Sequence, residues 1–466
     1  MKRQVAFNNS HLGKRAIVVG AGVGGLSTAR VLSDYFDEIM ILDRDELPDE
    51  ATWRPGVPQG KHPHGLLAGG LKALEHLFPG FGHELMRAGA VPIDAGFDAL
   101  YEVPGQDIGP RIKLSWPTLS MSRPLMEHTL RRRVERIRNI TVRGRCRGLN
   151  IVSESDAYAA TGIRCRMADG SLETFKSDLL VDASGNGSLT LEFLKATGRR
   201  PPEETIVSVN TRYASAVFEH PHIRNGYKIV FTLPNAPEQT RGGLILPAEN
   251  NSAQVVLAGR GKDIPPLDGN EFLSYARQLP TQTIYHAIKD TKRLTQIAPF
   301  YFPESRWRHF ARAPDFPCGL LPIGDAICRF NPVYGQGMTV AAQEANLLFE
   351  LLQTLDGERL ATLVPAFLTK AEAVVADPWV MSAIPDFIYP ETTGERPRDF
   401  QDRLNFQRAL GRLAVRDAEL YELLLEIRHV LTPLARLDDP SIVSRVKEEI
   451  AGASRGNESL ERVCSS

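Results

Sequence analysis

Along residues 16–43 the chain strings together an apolar run, Ala16-Ile17-Val18-Val19, a glycine-rich turn, Gly20-Ala21-Gly22-Val23-Gly24-Gly25, and a second apolar run, Ile39-Met40-Ile41-Leu42, that ends on Asp43. Few chain paths accommodate that order. A continuous β-branched apolar run marks a strand buried on both faces. Between the two runs Leu26, Ala29, Leu32 and Phe36 recur at roughly helical spacing, which predicts a helix after the glycines. In Gly20-x-Gly22-x-x-Gly25 the first glycine permits a tight turn. The second lets backbone N–H groups approach a pyrophosphate, and the third lets helix and strand pack closely. Gly24 lies in the same loop. Asp43 follows Gly20 by 23 residues, where a carboxylate can accept hydrogen bonds from ribose hydroxyls. A glycine turn with no ligand is the plain alternative; the strand, turn, helix, strand and acid in that order favour a dinucleotide loop.

The chain has 466 residues, enough for two or three domains and a sizeable core. At 42% hydrophobic and 24% charged residues it is neither largely disordered nor collagen-like. Lys and Arg number 55 against 56 Asp and Glu, a net charge of −1, which argues against a dedicated nucleic-acid binder. The arginines 131, 132, 133, 136 and 138 on a predicted helix over Pro124–Ile137 read as a solvated face. The five cysteines, Cys146, Cys165, Cys318, Cys328 and Cys464, are odd in number and lack CxxC spacing. That argues against a disulfide scaffold, a zinc ribbon or a thioredoxin-type pair, and suits a reducing, cytoplasmic setting. His62 and His64 flank Pro63 with too few ligands nearby for a metal, so no metal site is expected. No apolar run approaches the ~20 residues of a membrane-spanning helix. Ala16–Leu26 follows Lys14 and Arg15 but is short and contains four glycines, so it reads as a strand entering a loop and not as a signal peptide.

A second motif lies at Gly324-Asp325-Ala326, Pro332 and Gly335-Gln336-Gly337-Met338. An acid ends the predicted strand Leu320–Ile323, a proline interrupts, and a Gly-x-Gly turn starts a long amphipathic helix with apolar positions at 341, 345, 348, 352 and 355. Asp325 could hold a polyol, and the helix start could place N–H groups and a positive dipole end on an anion. An ordinary loop is the alternative, but two nucleotide-type loops in one chain support each other. Elsewhere Leu179-Leu180-Val181-Asp182-Ala183-Ser184-Gly185 reads as a buried strand entering a turn. Residues 1–14 read as loose, 51–70 as a Gly-, Pro- and His-rich loop, and 71–77 as helix. Residues 91–119 read as short strands, 205–260 as antiparallel sheet, and the chain beyond 377 as mostly helical.

These motifs together resemble the flavin-dependent aromatic hydroxylase superfamily, the single-component FAD monooxygenases, over about residues 1–370. The resemblance implies an α/β chain with a discontinuous Rossmann-like FAD-binding domain (1–80, 119–200 and 311–370). It further implies an inserted antiparallel β-sheet substrate domain (81–118 and 201–310) and a C-terminal helical region (371–466). Two stretches, Gly324–Met338 and Arg54–His64, are similar to a bacterial subgroup that includes the polyene epoxidases of polyether biosynthesis. After Gly324-Asp325 this chain departs from the family's usual Ala-Ala-His. By resemblance, Gly20, Gly22, Gly24 and Gly25 face the FAD pyrophosphate, and Asp43, followed by Arg44, the adenosine ribose. Arg123 reaches back to the phosphates, Arg54 lies on the flavin side, and Asp182 belongs to the middle motif. Gly324 and Asp325 meet the ribityl or pyrophosphate region. Pro332 lines the space beside flavin C4a, and Gly335, Gln336, Gly337 and Met338 lie by flavin N1–C2=O.

The implied activity is insertion of one oxygen atom of O2 into an apolar small molecule, by hydroxylation or epoxidation, through a flavin C4a-hydroperoxide. NADPH or NADH serves as transient reductant, or a separate flavin reductase supplies electrons to a monomer or homodimer. His64 is the candidate base should the substrate be a phenol. Tyr334 borders the cavity or packs, and Cys328 packs. There is no second GxGxxG, and Arg306-Trp307-Arg308-His309-Phe310 does not match the Trp-x-Trp-x-Ile-Pro of tryptophan-type flavin halogenases. Two alternatives stand: an FAD-dependent reductase or dehydrogenase of an isoprenoid-like substrate, and a cofactor-free binding protein on a flavoprotein fold.

Overall fold

The computed structural model describes residues 11–154, 159–354 and 360–464. Of the stretch read as loose at the start, residues 1–10 lie outside the described residues, and Gly13 and Lys14 already belong to the first strand, Gly13–Val19. Leu355, read as a helix position, also lies outside them. The first strand sits at the centre of a five-stranded parallel sheet in the order Leu320–Pro322, Leu179–Asp182, Gly13–Val19, Phe36–Leu42, Ile140–Arg143. Alternate residues leave the sheet on opposite faces. Ala16, Val18, Ile39, Ile41 and Val181 join a core with the helices Val23–Leu32, Ala68–Leu77, Arg123–Glu135 and Gly337–Thr354. Ile17, Val19, Met40, Leu42 and Leu180 pack instead beneath a three-stranded antiparallel sheet (147–153, 160–166, 172–176). Burial on both faces is why these strands read as unbroken apolar runs.

A second, seven-stranded sheet runs in the order Cys328–Arg329, Ala298–Arg308, Glu204–Glu219, Ser252–Arg260, Gly242–Ala248, Ile229–Thr232, Ala99–Glu102, antiparallel except at the last pair. One face is covered by Gly269–Arg277 and Thr283–Ile288, whose Phe272 and Ile284 pack over Ala214, Val255 and Leu257. The other, with Tyr213, Val256, Ala258 and Phe302, looks into a cavity. A third sheet of short strands joins Gly65–Leu66, Thr118–Ser120 and Val91–Ile93. The C-terminal helices Leu360–Ser382, Phe400–Arg416, Ala418–Arg428 and Pro440–Cys464 follow. Thus the fold is α/β, with a parallel sheet of Rossmann type assembled from distant parts of the chain, an antiparallel sheet and a helical C-terminal region.

Two local expectations change. Phe36 is the first residue of the strand Phe36–Leu42, 3% exposed, because the helix ends at Leu32 and a tight turn intervenes. The arginine run is not wholly solvated: Arg131 is buried, paired with Glu135 and donating to the Pro48 carbonyl, while Arg132 and Arg136 stay exposed. Cys146, Cys165 and Cys328 are buried free thiols, and Cys318 is a free exposed one.

Candidate active site

The carboxyl ends of the parallel strands share one edge: Val19 pairs with Asp182 and Leu42, and Asp182 with Pro322. Such an edge is where open α/β sheets bind ligands. Three loops leave it, Gly20–Gly25, Asp43–Asp45 and Gly324–Met338, and all three border one cavity of about 1820 Å³. Drug-sized pockets span roughly 300–1,000 Å³, so this one has room for two molecules of that class.

The glycines of the first loop do different jobs. Gly20 has φ +109°, and a Cβ on it would overlap the Ala183 carbonyl oxygen; a Cβ on Gly25 would overlap the Gly20 carbonyl oxygen. Both are required by the chain's own packing. A Cβ on Gly22 would meet nothing nearer than Glu127 Oε1 at 3.9 Å. Gly22 is the N-cap of the helix Val23–Leu32, with no capping side chain and no acid in the first turn. The helix start therefore offers uncapped N–H groups across an open gap, which suits a pyrophosphate.

Asp43 is 6% exposed; its Oδ2 accepts from Ala21 N–H at 2.7 Å and from Arg54 Nη1 at 2.8 Å, and its Oδ1 from Asp45 N–H at 2.9 Å. Arg54 also contacts Asp45 (3.4 Å), the Ala21 carbonyl (3.1 Å) and Glu127 (3.1 Å). Burial opposes the Arg54 charge, but Glu127 and Asp43 outweigh it and raise the guanidinium above its ordinary value. Arg54 is thus placed beside Asp43, the acid just past the strand Phe36–Leu42. Its side chain bridges the strand end and the helix Arg123–Glu135, and that path ends at Asp43. Arg123, in the first turn of that helix, donates to Glu127 at 2.8 Å. Arg44 donates to the Gly56 carbonyl at 3.1 Å on the cavity rim.

In the loop Gly324–Met338, Gly324 (φ +66°) donates its N–H to Glu344 Oε2 at 2.6 Å. Glu344 is fully buried, and burial pushes its carboxyl up to about 8. Asp325 borders the cavity and makes no hydrogen bond through its carboxylate among the described residues. Burial raises its carboxyl above the usual range, against the pull of Arg123, Arg329 and Arg308. Pro332 and Val333 are exposed within the cavity. Gly335 has φ +68° and leads into Gln336, whose buried Oε1 has no partner, and into the helix start at Gly337 and Met338. An open glycine gap, an unpaired acid and an orphan amide oxygen around one cavity fit a polar, dinucleotide-like cofactor.

Gly20, Gly22, Gly24, Asp43, Arg44, Arg54, His64, Arg123 and residues Gly324, Asp325, Pro332 and Gly335–Met338 all border the cavity. Gly25 and Asp182 do not. Asp182 is fully buried, and its two oxygens accept four hydrogen bonds from the backbone and hydroxyls of Ser184 and Thr190, so it serves its own turn. His62 Nδ1 meets Ser215 Oγ at 2.8 Å, and His64 Nδ1 donates to the His62 carbonyl at 2.8 Å. Burial pushes His62 down to about 4 and His64, with help from Arg123, to about 3. Both rings are neutral at pH 7, and His64 is a weaker base than an ordinary imidazole.

Sequence reasoning missed Asp45, Glu127, Glu344 and a buried network of Tyr213, Arg260, Asn331 and Asp386. Glu127 had a faint signal, four residues after Arg123 on one helix face. The network had none: Arg260 and Asp386 pair across 126 residues of chain. Among the described residues no group of His, Cys, Asp and Glu could hold a metal ion, and no helix is long and apolar enough to cross a membrane.

No family model matches the chain. Protein Rv3254 of Mycobacterium tuberculosis is 31% identical over 395 residues, covering 82% of this chain and 81% of that protein. A flavoprotein/dehydrogenase from Cytophaga hutchinsonii superposes with a TM-score of 0.67 at 15% identity, over 95% of this chain and all of that one. The flavin-dependent brominase Bmp2 gives 0.65 at 12% identity, over 95% and 100% of the two chains. The probable FAD-dependent monooxygenase pqsL of Pseudomonas aeruginosa gives 0.59 at 14% identity, over 87% and 100%. The chain belongs to the same family as the mycobacterial protein, and it shares its fold with the flavoprotein/dehydrogenase, brominase and probable monooxygenase structures.

Proposed function

We propose that this protein is an FAD-dependent monooxygenase that inserts one oxygen atom of O2 into a bulky, apolar small molecule. One observation carries the reading. The cavity is continuous from the Gly20–Gly24 loop, past the Gly335–Met338 helix start, to the apolar inner face of the seven-stranded sheet. A dinucleotide lying along the first two would present its far end to the third. Gly22 and the helix behind it would hold the pyrophosphate, Asp43 a ribose, and Asp325 the polyol chain. The helix start at Gly335–Met338 borders the same cavity and would offer fixed dipoles to negative charge gathering on a reduced cofactor held there, with no reorganisation needed. FAD, when bound, supplies the O2 activation and the oxygen transfer. Pro332 and Val333 shape the contact between the two occupants, and Phe300, Phe302 and Val256 on the sheet keep water from the substrate. His64, holding no ring proton at Nε2, offers an acceptor there and not an acid. The alternative of a dehydrogenase on the same loops is separated by the fate of oxygen.

The test is reconstitution with FAD followed by NADPH or NADH oxidation across bulky apolar substrates, with and without a flavin reductase, in isotopically labelled O2. The expected result is a yellow protein, substrate-stimulated turnover and one labelled oxygen per product. Whether that oxygen sits in a hydroxyl or an epoxide is read from the same product. Label-free product would make the chain a dehydrogenase, and a colourless chain that takes up no FAD would sink both readings.

A further inference from the structure

On the substrate side of the cavity, beside Pro332, the second sheet and the C-terminal region bring together polar groups that the cofactor loops do not use. Arg260 ends the strand Ser252–Arg260 and is 8% exposed. Its Nη2 is held by Asp386 in a short ion pair, and its guanidinium carbon lies 4.2 Å from the centre of the Tyr389 ring. Its Nη1 has no acceptor. Asp386 also accepts from Asn331 Nδ2 at 3.0 Å, and Asn331 Oδ1 accepts from Tyr213 OH at 3.0 Å and from Val333 N–H at 3.2 Å. Tyr213 is therefore committed. The hydroxyls of Tyr334 and Tyr389, which border the cavity, donate to no acceptor among the described residues.

Buried donors ordinarily find acceptors, and Arg260 Nη1, left without one beside two phenol hydroxyls that open on the same cavity wall, calls for an acceptor from outside the chain. Charge decides which kind. Arg260 and Asp386 cancel, so a carboxylate entering here would meet the Asp386 charge with no spare cation in the cluster. An uncharged oxygen with two lone pairs has no such difficulty.

We propose that Arg260, Tyr334 and Tyr389 form a receptor for a neutral carbonyl oxygen, so that the substrate is an apolar ketone, quinone or amide and not a carboxylic acid. The proposal rests on the reading above in taking this end of the cavity as the substrate's. Its test needs neither turnover nor flavin chemistry. FAD-loaded protein is dialysed to equilibrium against three probes of one shape: 2-acetylnaphthalene, 2-ethylnaphthalene and 2-naphthoate. The ketone is expected to bind about tenfold or more tightly than either of the others. Tyr334→Phe and Tyr389→Phe should each cut that preference severalfold. Arg260→Lys, which keeps a cation for Asp386, should cut it as well. Tightest binding by naphthoate, equal binding of ketone and ethyl probe, no binding of any probe, or a preference that survives both tyrosine variants would overturn the proposal. Should the chain take up no FAD, the functional reading falls on that result alone, and dialysis of the purified chain still decides the carbonyl preference.

Discussion

Gly20 and Gly25 have no room for a methyl group, whereas Gly22 has room and φ −85°, a value any residue adopts. The two kinds of glycine should separate experimentally. Gly20→Ala or Gly25→Ala should cost about 2–3 kcal/mol of stability in the FAD-free protein, read by chemical denaturation. Gly22→Ala should leave that stability within ~0.5 kcal/mol. It should instead weaken FAD binding roughly tenfold or more, because its methyl fills the gap the pyrophosphate needs. Glu344 makes a second residue-scale prediction. Its folded carboxyl titrates near 8 against an ordinary 4.5. A raised folded value means stability that is whole below pH 4.5 and declines as pH rises towards 8. Glu344→Gln keeps an acceptor for Gly324 N–H and should abolish that decline, seen as melting temperatures of the two proteins converging at low pH and parting at high pH. The glycines were legible in the sequence because strand, turn and helix are local. Glu344 was not, since nothing local tells one helix glutamate that it will be sealed beneath a loop 20 residues upstream.

At the scale of elements, Arg54 ties the Gly- and Pro-rich loop to the strand end at Asp43 and to the helix at Glu127. Arg54→Met should leave Asp43 and Asp45 buried without a cation and cost about 3–5 kcal/mol in chemical denaturation. Arg54→Lys should recover only part of the loss, because a point charge cannot reach three carboxylates and a carbonyl at once. The loop itself was legible from its Gly, Pro and His content. Where its arginine lands was not, because the loop has no periodicity to give it a direction.

For the whole molecule, the C-terminal helices dock beside the cavity at several points, one of them the turn at His429 and Val430. Gly69 N–H donates to the His429 carbonyl at 2.9 Å, Ala68 N–H to His429 Nδ1 at 3.2 Å, and Gln343 Nε2 to the Val430 carbonyl at 3.1 Å. A Cβ on Gly69 would overlap the Val430 carbonyl oxygen. Gly69→Val should therefore loosen the turn after the helix Ala418–Arg428, raising hydrogen exchange and protease sensitivity over residues 425–434 while the FAD spectrum persists. Unchanged protection there would refute the docking. The C-terminal region also brings Asp386 and Tyr389, just past the helix Leu360–Ser382, to Arg260.

The sequence alone determined what nearest neighbours along the chain decide: the buried strands, the glycine turns, the acids that end strands, and through them an α/β fold with a dinucleotide-type edge. Those features rest on φ/ψ freedom and hydrophobic period, which are local. Only the tertiary structure decided which arginine meets which acid, that Asp182 serves its own turn, that both loop histidines are neutral, and that Arg260, Tyr334 and Tyr389 share one wall of the cavity. Those outcomes depend on desolvation and on contacts that range from eight positions apart, as between Asp182 and Thr190, to 361, as between Ala68 and His429, and no sequence period announces either.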